Sequence, residues 1–359
     1  MFTEVVSIWQ YLEEAPKPII IYGMGNGADK ILAVMEQRGI KPSAFMASDE
    51  FVRGHSFRGF EVKKLADIEK QYKSFIILVA FGTNRTDVLE KIYSLSEKYE
   101  VYAPDVPVYG STLETLFDEK YVVENIQKIA EVREIFADEQ SKETFDRLID
   151  YKISGKLEHL SATVTPRGDA LELLNIKNND SEVFFDFGAY DGDTALEFIQ
   201  LTGGRFGKIY AFEPDFRSFC KLRRRLYMFG TDKLETINSA AWDKDGEESF
   251  EQTGGRQSAL SAGAKGKKVR TIKADTFCGN GKIKPTLMKY DVEGCEAKAL
   301  LGAAGILKKH RPRLEISLYH RTEDLLELPV LIKSINSKYK MYLRRHEYIP
   351  AWDVNLYCV

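Results

Sequence analysis

The chain has 359 residues, with 51 basic and 54 acidic side chains and a formal net charge of −3 at pH 7. This length provides for two domains with cores of their own, and the near-neutral charge argues against a general nucleic-acid binder. The sequence has neither an apolar run of membrane-spanning length nor a signal peptide, and its four cysteines form no CxxC pair. We therefore expect a cytoplasmic protein with no nucleic-acid or membrane partner.

Residues 1–110 have the pattern of a small Rossmann-like domain. Ile19–Tyr22 is an apolar run typical of a buried strand, and residues 23–28 follow it with the pattern G-x-G-x-x-A before a helical segment. Phe75–Ala80 predicts a further strand. The glycine turn has two interpretations. It is either a nucleotide or nucleotide-sugar site with phosphate at the helix N-terminus, or a structural turn in a recognition or oligomerisation domain.

Residues 111–165 predict a helical linker between two domains. Apolar side chains recur at helical spacing among many charges, and residues 111–154 contain neither Pro nor Gly. We expect two or three helices here. A second interpretation is that they pack against another copy of the chain and form a homodimer.

A second α/β domain is predicted over residues 166–359, and it begins with a buried strand at Val183–Phe187. A turn and a helical segment follow. A dinucleotide fingerprint needs glycine at its first, third and sixth positions, which are here Gly188, Tyr190 and Asp193. Three acids surround the turn: Asp186, Asp191 and Asp193. They would repel a phosphate but favour a cation, so the turn fits S-adenosylmethionine (SAM), which carries a sulfonium and an ammonium group.

The next predicted strands end in further candidate ligand contacts. Glu213 closes the strand Lys208–Glu213, where a carboxylate can accept hydrogen bonds from both ribose hydroxyls of a nucleoside. The alternative is that Glu213 caps the following helix. Ala241 and Trp242 come at the end of a predicted strand that starts at Leu234, near the expected adenine position, and Trp242 has a core position as its alternative.

Acids and a histidine follow two more predicted strands. Asp291 stands at the end of Thr286–Tyr290, Glu293 comes two residues later, and His320 follows Arg313–Tyr319. Because the carboxyl ends of parallel strands share one edge of a sheet, we expect these side chains opposite the acidic turn. Asp291 and Glu293 have three interpretations, which are to orient the ligand, to bind an acceptor hydroxyl, or to ligate a metal with a third oxygen.

Four sequence blocks occur in the order seen in a known family: Asp186–Thr194, Phe212–Asp215, Lys289–Glu296 and Leu300–Ala303. With them, residues 181–359 resemble the FkbM family of class I SAM-dependent methyltransferases. Four ordered blocks are far more specific than one glycine motif. Tyr190 departs from the general class I pattern, in which many members have a second loop glycine.

The resemblance implies a Rossmann-like class I fold for residues 166–359, and SAM as cofactor. It implies cofactor contacts from Asp186, Gly188, Ala189, Tyr190, Asp191, Gly192, Thr194, Glu213, Pro214, Ala241, Trp242 and Asp291. It also implies that a loop rich in Gly and Ser brings Arg256 and Ser258 to the methyl acceptor. A solvent-exposed hairpin is the alternative for that loop.

The predicted reaction is methyl transfer to a hydroxyl of a sugar, glycan or related small molecule. A hydroxyl is a poor nucleophile, so a general base is expected. His320 is the predicted base from its position and from a similar E…H pattern in the family, with Asp291 or Glu293 holding it or the acceptor. Two alternatives stay open. One is an NAD-dependent or nucleotide-sugar-modifying enzyme that uses the N-terminal glycine motif, and the other is a non-catalytic SAM- or nucleotide-binding protein.

Overall fold

The computed structural model describes residues 1–52, 54, 56–251, 259–260 and 267–359. The chain forms two compact units. The first unit consists of Met1–Glu134, Asp138–Thr165 and Arg345–Val354, and the second of Ile135–Ala137, Pro166–Arg344 and Asn355–Val359.

The first unit is built around a six-stranded sheet. Its elements are α1 (Ile8–Glu14), β1 (Ile19–Tyr22), α2 (Asn26–Gln37), β2 (Ala44–Met46), β3 (Ser56–Phe57), β4 (Phe60–Lys63), α3 (Leu65–Gln71), β5 (Ile76–Val79), α4 (Thr86–Ser96), β6 (Glu100–Tyr102), α5 (Glu119–Arg133), α6 (Glu139–Ser154) and α7 (Leu157–Ser161).

The strand order of this sheet is β3-β4-β2-β1-β5-β6. All neighbouring pairs are parallel except β3 and β4. Each residue of β1 and of β5 is buried, as expected of central parallel strands that are covered on both faces. The chain order reverses beside β1, which is the point at which doubly wound sheets open a crevice.

The helices predicted as a linker lie in the first unit. On α6 and after it, the Tyr151 hydroxyl donates to the Ala103 carbonyl over 2.8 Å, and the Ala103 amide donates to the Gly155 carbonyl over 2.9 Å. Lys152 forms a buried ion pair with Asp105, with 2.8 Å between Nζ and Oδ2. The segment was predicted as a helical linker between two domains, and its helices instead form part of the first unit.

Residues 345–354, which were predicted within the second domain, also belong to the first unit. The Thr83 amide donates to the Ile349 carbonyl over 2.8 Å, and the Thr165 amide donates to the Arg345 carbonyl over 2.8 Å. The fully buried guanidinium of Arg345 donates to the Leu160 carbonyl. These long-range bonds explain why a short C-terminal segment returns to the N-terminal unit.

The second unit is an α/β fold. Its elements are α8 (Arg167–Glu172), β7 (Val183–Phe187), α9 (Asp193–Leu201), β8 (Lys208–Phe212), α10 (Phe216–Tyr227), β9 (Leu234–Ile237), β10 (Ala240–Ala241), β11 (Gly246–Glu251), β12 (Ala259–Leu260), β13 (Lys267–Ile272), α11 (Ala274–Phe277), β14 (Leu287–Tyr290), α12 (Glu296–Leu301), α13 (Ala304–Lys309), β15 (Arg313–Ser317), α14 (Asp324–Ile335), β16 (Met341–Arg345) and β17 (Val354–Cys358).

Its main sheet has seven strands in the order β16-β17-β15-β14-β7-β8-β9. The strands from β15 to β9 are parallel, and β17 is antiparallel to β15. The central β7 lies between β14 and β8, so its carboxyl end lies beside the ends of both neighbours. This arrangement confirms the class I methyltransferase fold that was predicted for the region.

One predicted strand is divided in the structure. The expected strand from Leu234 to Ala241 ends at Ile237, and Ala240–Ala241 pairs instead with β13 in a four-stranded sheet of order β10-β13-β11-β12. The Ser239 amide donates back to the Ile237 carbonyl over 3.0 Å, which turns the chain between the two sheets.

Across the residues that the structure describes, no helix combines the length and the apolar character that a bilayer crossing requires.

Candidate active site

The turn after β7 packs directly on the backbone at the end of β14. Gly188 has a φ of +81°, and a Cβ atom added to it would lie 1.8 Å from the carbonyl oxygen of Asp291. The amides of Gly188 and Ala189 both donate to the Phe212 carbonyl at the end of β8, each over 3.0 Å. The acidic turn and the later acids therefore meet at one edge of the sheet, as predicted, and only glycine allows this close approach.

Glu213 lies immediately after β8, and it is 7% exposed. Its carboxylate accepts hydrogen bonds from the Tyr190 amide over 2.9 Å and from the Asp215 amide over 2.8 Å. Burial raises the pKa of Glu213 to about 8. The cap of α10 is Asp215, whose side chain accepts from the Ser218 amide, so the capping role considered for Glu213 is filled by another residue.

Asp186 is fully buried within β7, and neither of its carboxylate oxygens has a hydrogen-bond partner among the described residues. The nearest cation is Lys289, whose Nζ lies 3.8 Å from Oδ1. Burial raises the pKa of Asp186 to about 6, although Lys289 opposes the shift. A buried carboxylate without hydrogen-bond partners is costly, and such an acid suits a site that receives a cationic ligand.

Five other predicted cofactor residues lie on this turn or just after β8. Tyr190 has a φ of +45°, which is unusual for a residue with a side chain. The Asp191 carboxylate pairs with Arg225 over 2.8 Å, and the carbonyl of Pro214 accepts from the Asn238 side chain over 3.1 Å. Gly192 is the left-handed residue before α9, and Thr194 lies in its first turn.

The structure places Trp242 in a packed cluster. Its side chain is 4% exposed and lies with Ala240, Val269 and Cys295 in a small apolar core. The ammonium group of Lys298 is 4.2 Å from the ring centroid. This position agrees with the core alternative for Trp242. Ala241 is buried in β10 beside it. The predicted acceptor contacts Arg256 and Ser258 lie outside the described residues.

Asp291 is the acid nearest to the buried lysine. Its Oδ2 lies 3.4 Å from the Lys289 ammonium, and its Oδ1 accepts from the Tyr319 hydroxyl over 3.3 Å. Burial acts to raise the pKa of Asp291, but Lys289 and His320 outweigh it and lower the pKa. Asp291 is therefore ionised, and its charge is compensated by side chains of the protein.

Glu293 has the acid–base properties that general catalysis needs. Its side chain is 30% exposed, and its Oε2 lies 3.5 Å from His320 Nε2. Burial raises its pKa to about 7, with opposition from His320. A carboxyl group of this pKa exchanges its proton near neutral pH.

His320 follows β15 and is 1% exposed. Its Nδ1 lies 2.9 Å from Glu296 Oε1, and its Nε2 lies 3.5 Å from Asp291 Oδ1. Burial acts to lower the pKa of His320, but the nearby carboxylates raise it to about 10. The ring is thus protonated at neutral pH. This is the opposite of the state that the predicted base requires, because an imidazolium has no lone pair to accept a proton.

Glu296 was not among the residues predicted for the site. It is fully buried at the start of α12, and its carboxylate reaches His320. The sequence did contain a signal, since Asp291, Glu293 and Glu296 are three acids within one six-residue block. Nothing in that spacing showed which of them would face the histidine.

Within the described part of the chain, one group has metal-ligand spacing, and it lies in the first unit rather than beside β14: Glu4, Glu158 and His159. Glu4 Oε1 is already 2.6 Å from the Lys156 ammonium. At the end of β14, the positions around Asp291 and Glu293 are occupied by Lys289 and His320, so the protein supplies its own cations there.

The glycine turn of the first unit lies at the start of α2. Gly23 and Gly25 have φ values of +122° and +136°, and Gly25 caps the helix without a side-chain bond. A Cβ atom on Gly27 would lie 2.3 Å from the Ala80 carbonyl oxygen. Close packing of α2 on the end of β5 thus accounts for this glycine, and the nucleotide site stays a prediction.

Comparisons with known proteins identify similar methyltransferases. Residues 186–349 match the family described as "Methyltransferase FkbM domain". The crystal structure of methyltransferase FkbM from Methylobacillus flagellatus KT is 19% identical, with a TM-score of 0.74, and the alignment covers 96% of this chain and 90% of that one. No curated protein sequence matched the chain.

Two further structures align with about half of this chain. An rRNA methylase from Streptococcus thermophilus is 15% identical, with 54% of this chain and 95% of that one covered and a TM-score of 0.36. Precorrin-6y C5,15-methyltransferase from Geobacter metallireducens GS-15 is 12% identical, with 54% and 85% covered and a TM-score of 0.35. Residues 186–349 form a methyltransferase domain of the FkbM family, whose cofactor is S-adenosylmethionine.

Proposed function

We propose that this methyltransferase transfers the methyl group of SAM to a hydroxyl group of a sugar, glycan or related small molecule. The observation that carries the proposal is the direct contact between the turn after β7 and the turn after β14, where Gly188 lies against the Asp291 carbonyl. It puts a partly exposed carboxyl group with a pKa near neutrality, Glu293, at the same edge of the sheet as the cofactor residues.

The chain's residues fit a cationic ligand. Asp186 offers a buried carboxylate with no hydrogen-bond partner among the described residues, and Glu213 lies at the tip of β8, where two backbone amides already hold it. We assign Glu213 to the ribose hydroxyls and the backbone of the Gly188–Gly192 turn to the nucleoside. When bound, SAM supplies a methyl group on an activated sulfonium centre.

The acceptor hydroxyl needs a base as the new carbon–oxygen bond forms. We assign this role to Glu293 instead of His320. Glu293 accepts a proton at neutral pH, whereas His320 already carries one. In this assignment the imidazolium of His320 lies 3.5 Å from Glu293 and holds its carboxylate in place. Asp291, ionised and paired with Lys289, orients the acceptor.

The test is Glu293→Gln, which keeps the size of the side chain and removes the base. We expect kcat to fall by about 10²–10⁴, the usual contribution of a general base, while the affinity for SAM stays within about twofold of wild type. Formation of S-adenosylhomocysteine is measured with a panel of sugars, nucleotide sugars and oligosaccharides, and SAM binding is measured by calorimetry.

A matched control is Glu323→Gln, the same chemical change at an acid that is 40% exposed and beside the site. It should retain the wild-type rate. A wild-type rate in Glu293→Gln would remove Glu293 from the reaction, and turnover of an amine or thiol but of no hydroxyl would contradict the acceptor class.

A further inference from the structure

Glu296 connects the histidine to the turn that carries Glu293. The side chain is fully buried. Its Oε1 accepts from the Val292 amide over 2.9 Å, lies 3.4 Å from the Gly294 amide, and lies 2.9 Å from His320 Nδ1. One carboxylate oxygen thus contacts the turn on both sides of Glu293 and the ring that faces Glu293.

The turn itself is in a conformation that needs support. Glu293 and Gly294 have φ values of +53° and +86°, so two successive residues lie in the left-handed region. For a residue with a side chain, this conformation persists only where the surroundings hold it. Glu296 holds the amides of the turn, and Arg321 Nε donates to the Gly294 carbonyl over 2.6 Å.

The charges around His320 come from three elements and from the loop that carries the histidine. The end of β14 and its turn contribute Lys289, Asp291 and Glu293, α12 contributes Glu296, and α14 contributes Asp324. Tyr319 and Arg321 adjoin the ring in sequence. Glu296 differs from the other acids because it bonds to Nδ1, the ring nitrogen that faces away from Asp291 and Glu293.

We propose that Glu296 is a positioning residue for methyl transfer: it fixes the orientation and the charge of His320 through Nδ1 and holds the turn, so that the Glu293 carboxylate stays beside Nε2. This inference rests on the proposed role of Glu293 as the base. Glu296 itself contacts neither cofactor nor acceptor, and it acts through the two residues that it holds.

The test is the titration of His320 in Glu296→Gln. NMR of the ring nitrogens in the full chain monitors this titration, and His320→Gln identifies which signals belong to His320. Wild-type His320 should keep both ring protons at pH 8. Because a neighbouring charge shifts a pKa by about 1–3 units, the ring of Glu296→Gln should lose its proton about 1–3 pH units below wild type. The kcat of this variant should fall while SAM affinity is retained.

Asp324→Asn is the matched control. Asp324 is 4% exposed, and burial and the neighbouring Glu296 raise its pKa to about 8. It is therefore mostly neutral at pH 7, and an asparagine side chain is neutral as well. The asparagine can still accept the hydrogen bond that the Arg321 backbone amide donates to Asp324 over 2.9 Å. Because Asp324 becomes charged only above about pH 8, the titration of His320 should move less in this variant than in Glu296→Gln.

An unchanged titration of His320 in Glu296→Gln would overturn the proposal, even if the variant melted at a lower temperature, since a purely structural role would have that effect. Equal shifts in both variants would also overturn it. If Glu296→Gln does not fold, Glu296→Asp retains the charge with a shorter reach. It should keep His320 protonated at pH 8 and lower kcat, and a wild-type kcat would contradict the need for the contact with the turn.

The role of Glu293 as the base and the role of Glu296 are tested by separate experiments. A wild-type rate in Glu293→Gln would exclude Glu293 as the base, whereas the NMR titration needs no acceptor and reports the contact between Glu296 and His320 directly.

Discussion

Glu293 and His320 lie 3.5 Å apart, and their proton affinities divide the acid–base roles between them. The pKa of Glu293 is raised to about 7 and that of His320 to about 10. Residue type alone favours histidine as the base, because its ordinary pKa is nearest to neutrality. The surroundings reverse this order, because the neighbouring carboxylates stabilise the imidazolium of His320 and burial destabilises the ionised form of Glu293.

The pH dependence of the rate distinguishes the two residues. A base works only when it is deprotonated, so below its pKa the rate falls tenfold for each pH unit. If Glu293 is the base, kcat/KM should rise with pH and level off above about 7. If His320 were the base, the rise would continue to about pH 10. Steady-state rates between pH 5 and 10.5, at saturating SAM, give the answer.

At the scale of elements, the glycine turn after β7 is set by what it packs on. Gly188 has both a positive φ and a backbone carbonyl 1.8 Å from the position of a Cβ. The second constraint comes from β14, which lies beside β7 in the sheet although it is about a hundred residues later in the chain.

Gly188→Ala should therefore abolish SAM binding and lower the melting temperature. Gly204→Ala is the control, since Gly204 also has a positive φ, of +76°, but nothing within 4 Å of its Cβ position. Each variant bears the left-handed conformation, which costs about 1–2 kcal/mol, and only Gly188→Ala also displaces the Asp291 backbone. Equal SAM affinities in the two variants would contradict the close approach. Calorimetry and thermal melting measure both effects.

At the scale of the whole molecule, each unit contains a parallel sheet with a glycine turn after a central strand. The turns differ in charge. The second unit surrounds its turn with Asp186, Asp191 and Asp193, whereas the first unit has Asp29 in the first turn of α2, paired with Arg58 over 2.8 Å. A cation is favoured at the acidic turn, and the electrostatic argument against a phosphate there does not extend to the first unit.

SAM should accordingly raise the melting temperature of the full chain, and NAD should not displace it. A ligand that binds only the folded state at a hundred times its Kd contributes about 2.7 kcal/mol. Glu213→Ala should need more SAM for the same rise, because its loss removes hydrogen bonds to the ribose hydroxyls that contribute about 0.5–1.5 kcal/mol each. Displacement of SAM by NAD, in a competition titration, would contradict the assignment of the acidic turn.

The sequence by itself determined the parts of this protein that depend on local order. Alternating apolar runs and helical segments are enough to predict two α/β regions. The four ordered blocks placed Asp186, Glu213, Asp291 and Glu293 at the ends of neighbouring strands, and the apolar run before His320 placed that residue at the end of another. The negative charge of the acidic turn could also be predicted, since Asp186 and Asp191 lie close to Gly188 in the chain.

Only the tertiary structure decided what depends on contacts between distant residues. It grouped residues 111–165 and 345–354 with the first unit through bonds such as Lys152 to Asp105. It placed Trp242 in a small core. It also brought the Glu296 carboxylate to Nδ1 of His320 and made that ring a cation. The proton affinity of a group is set by the charges and the burial around it, and those are fixed only when the chain has folded.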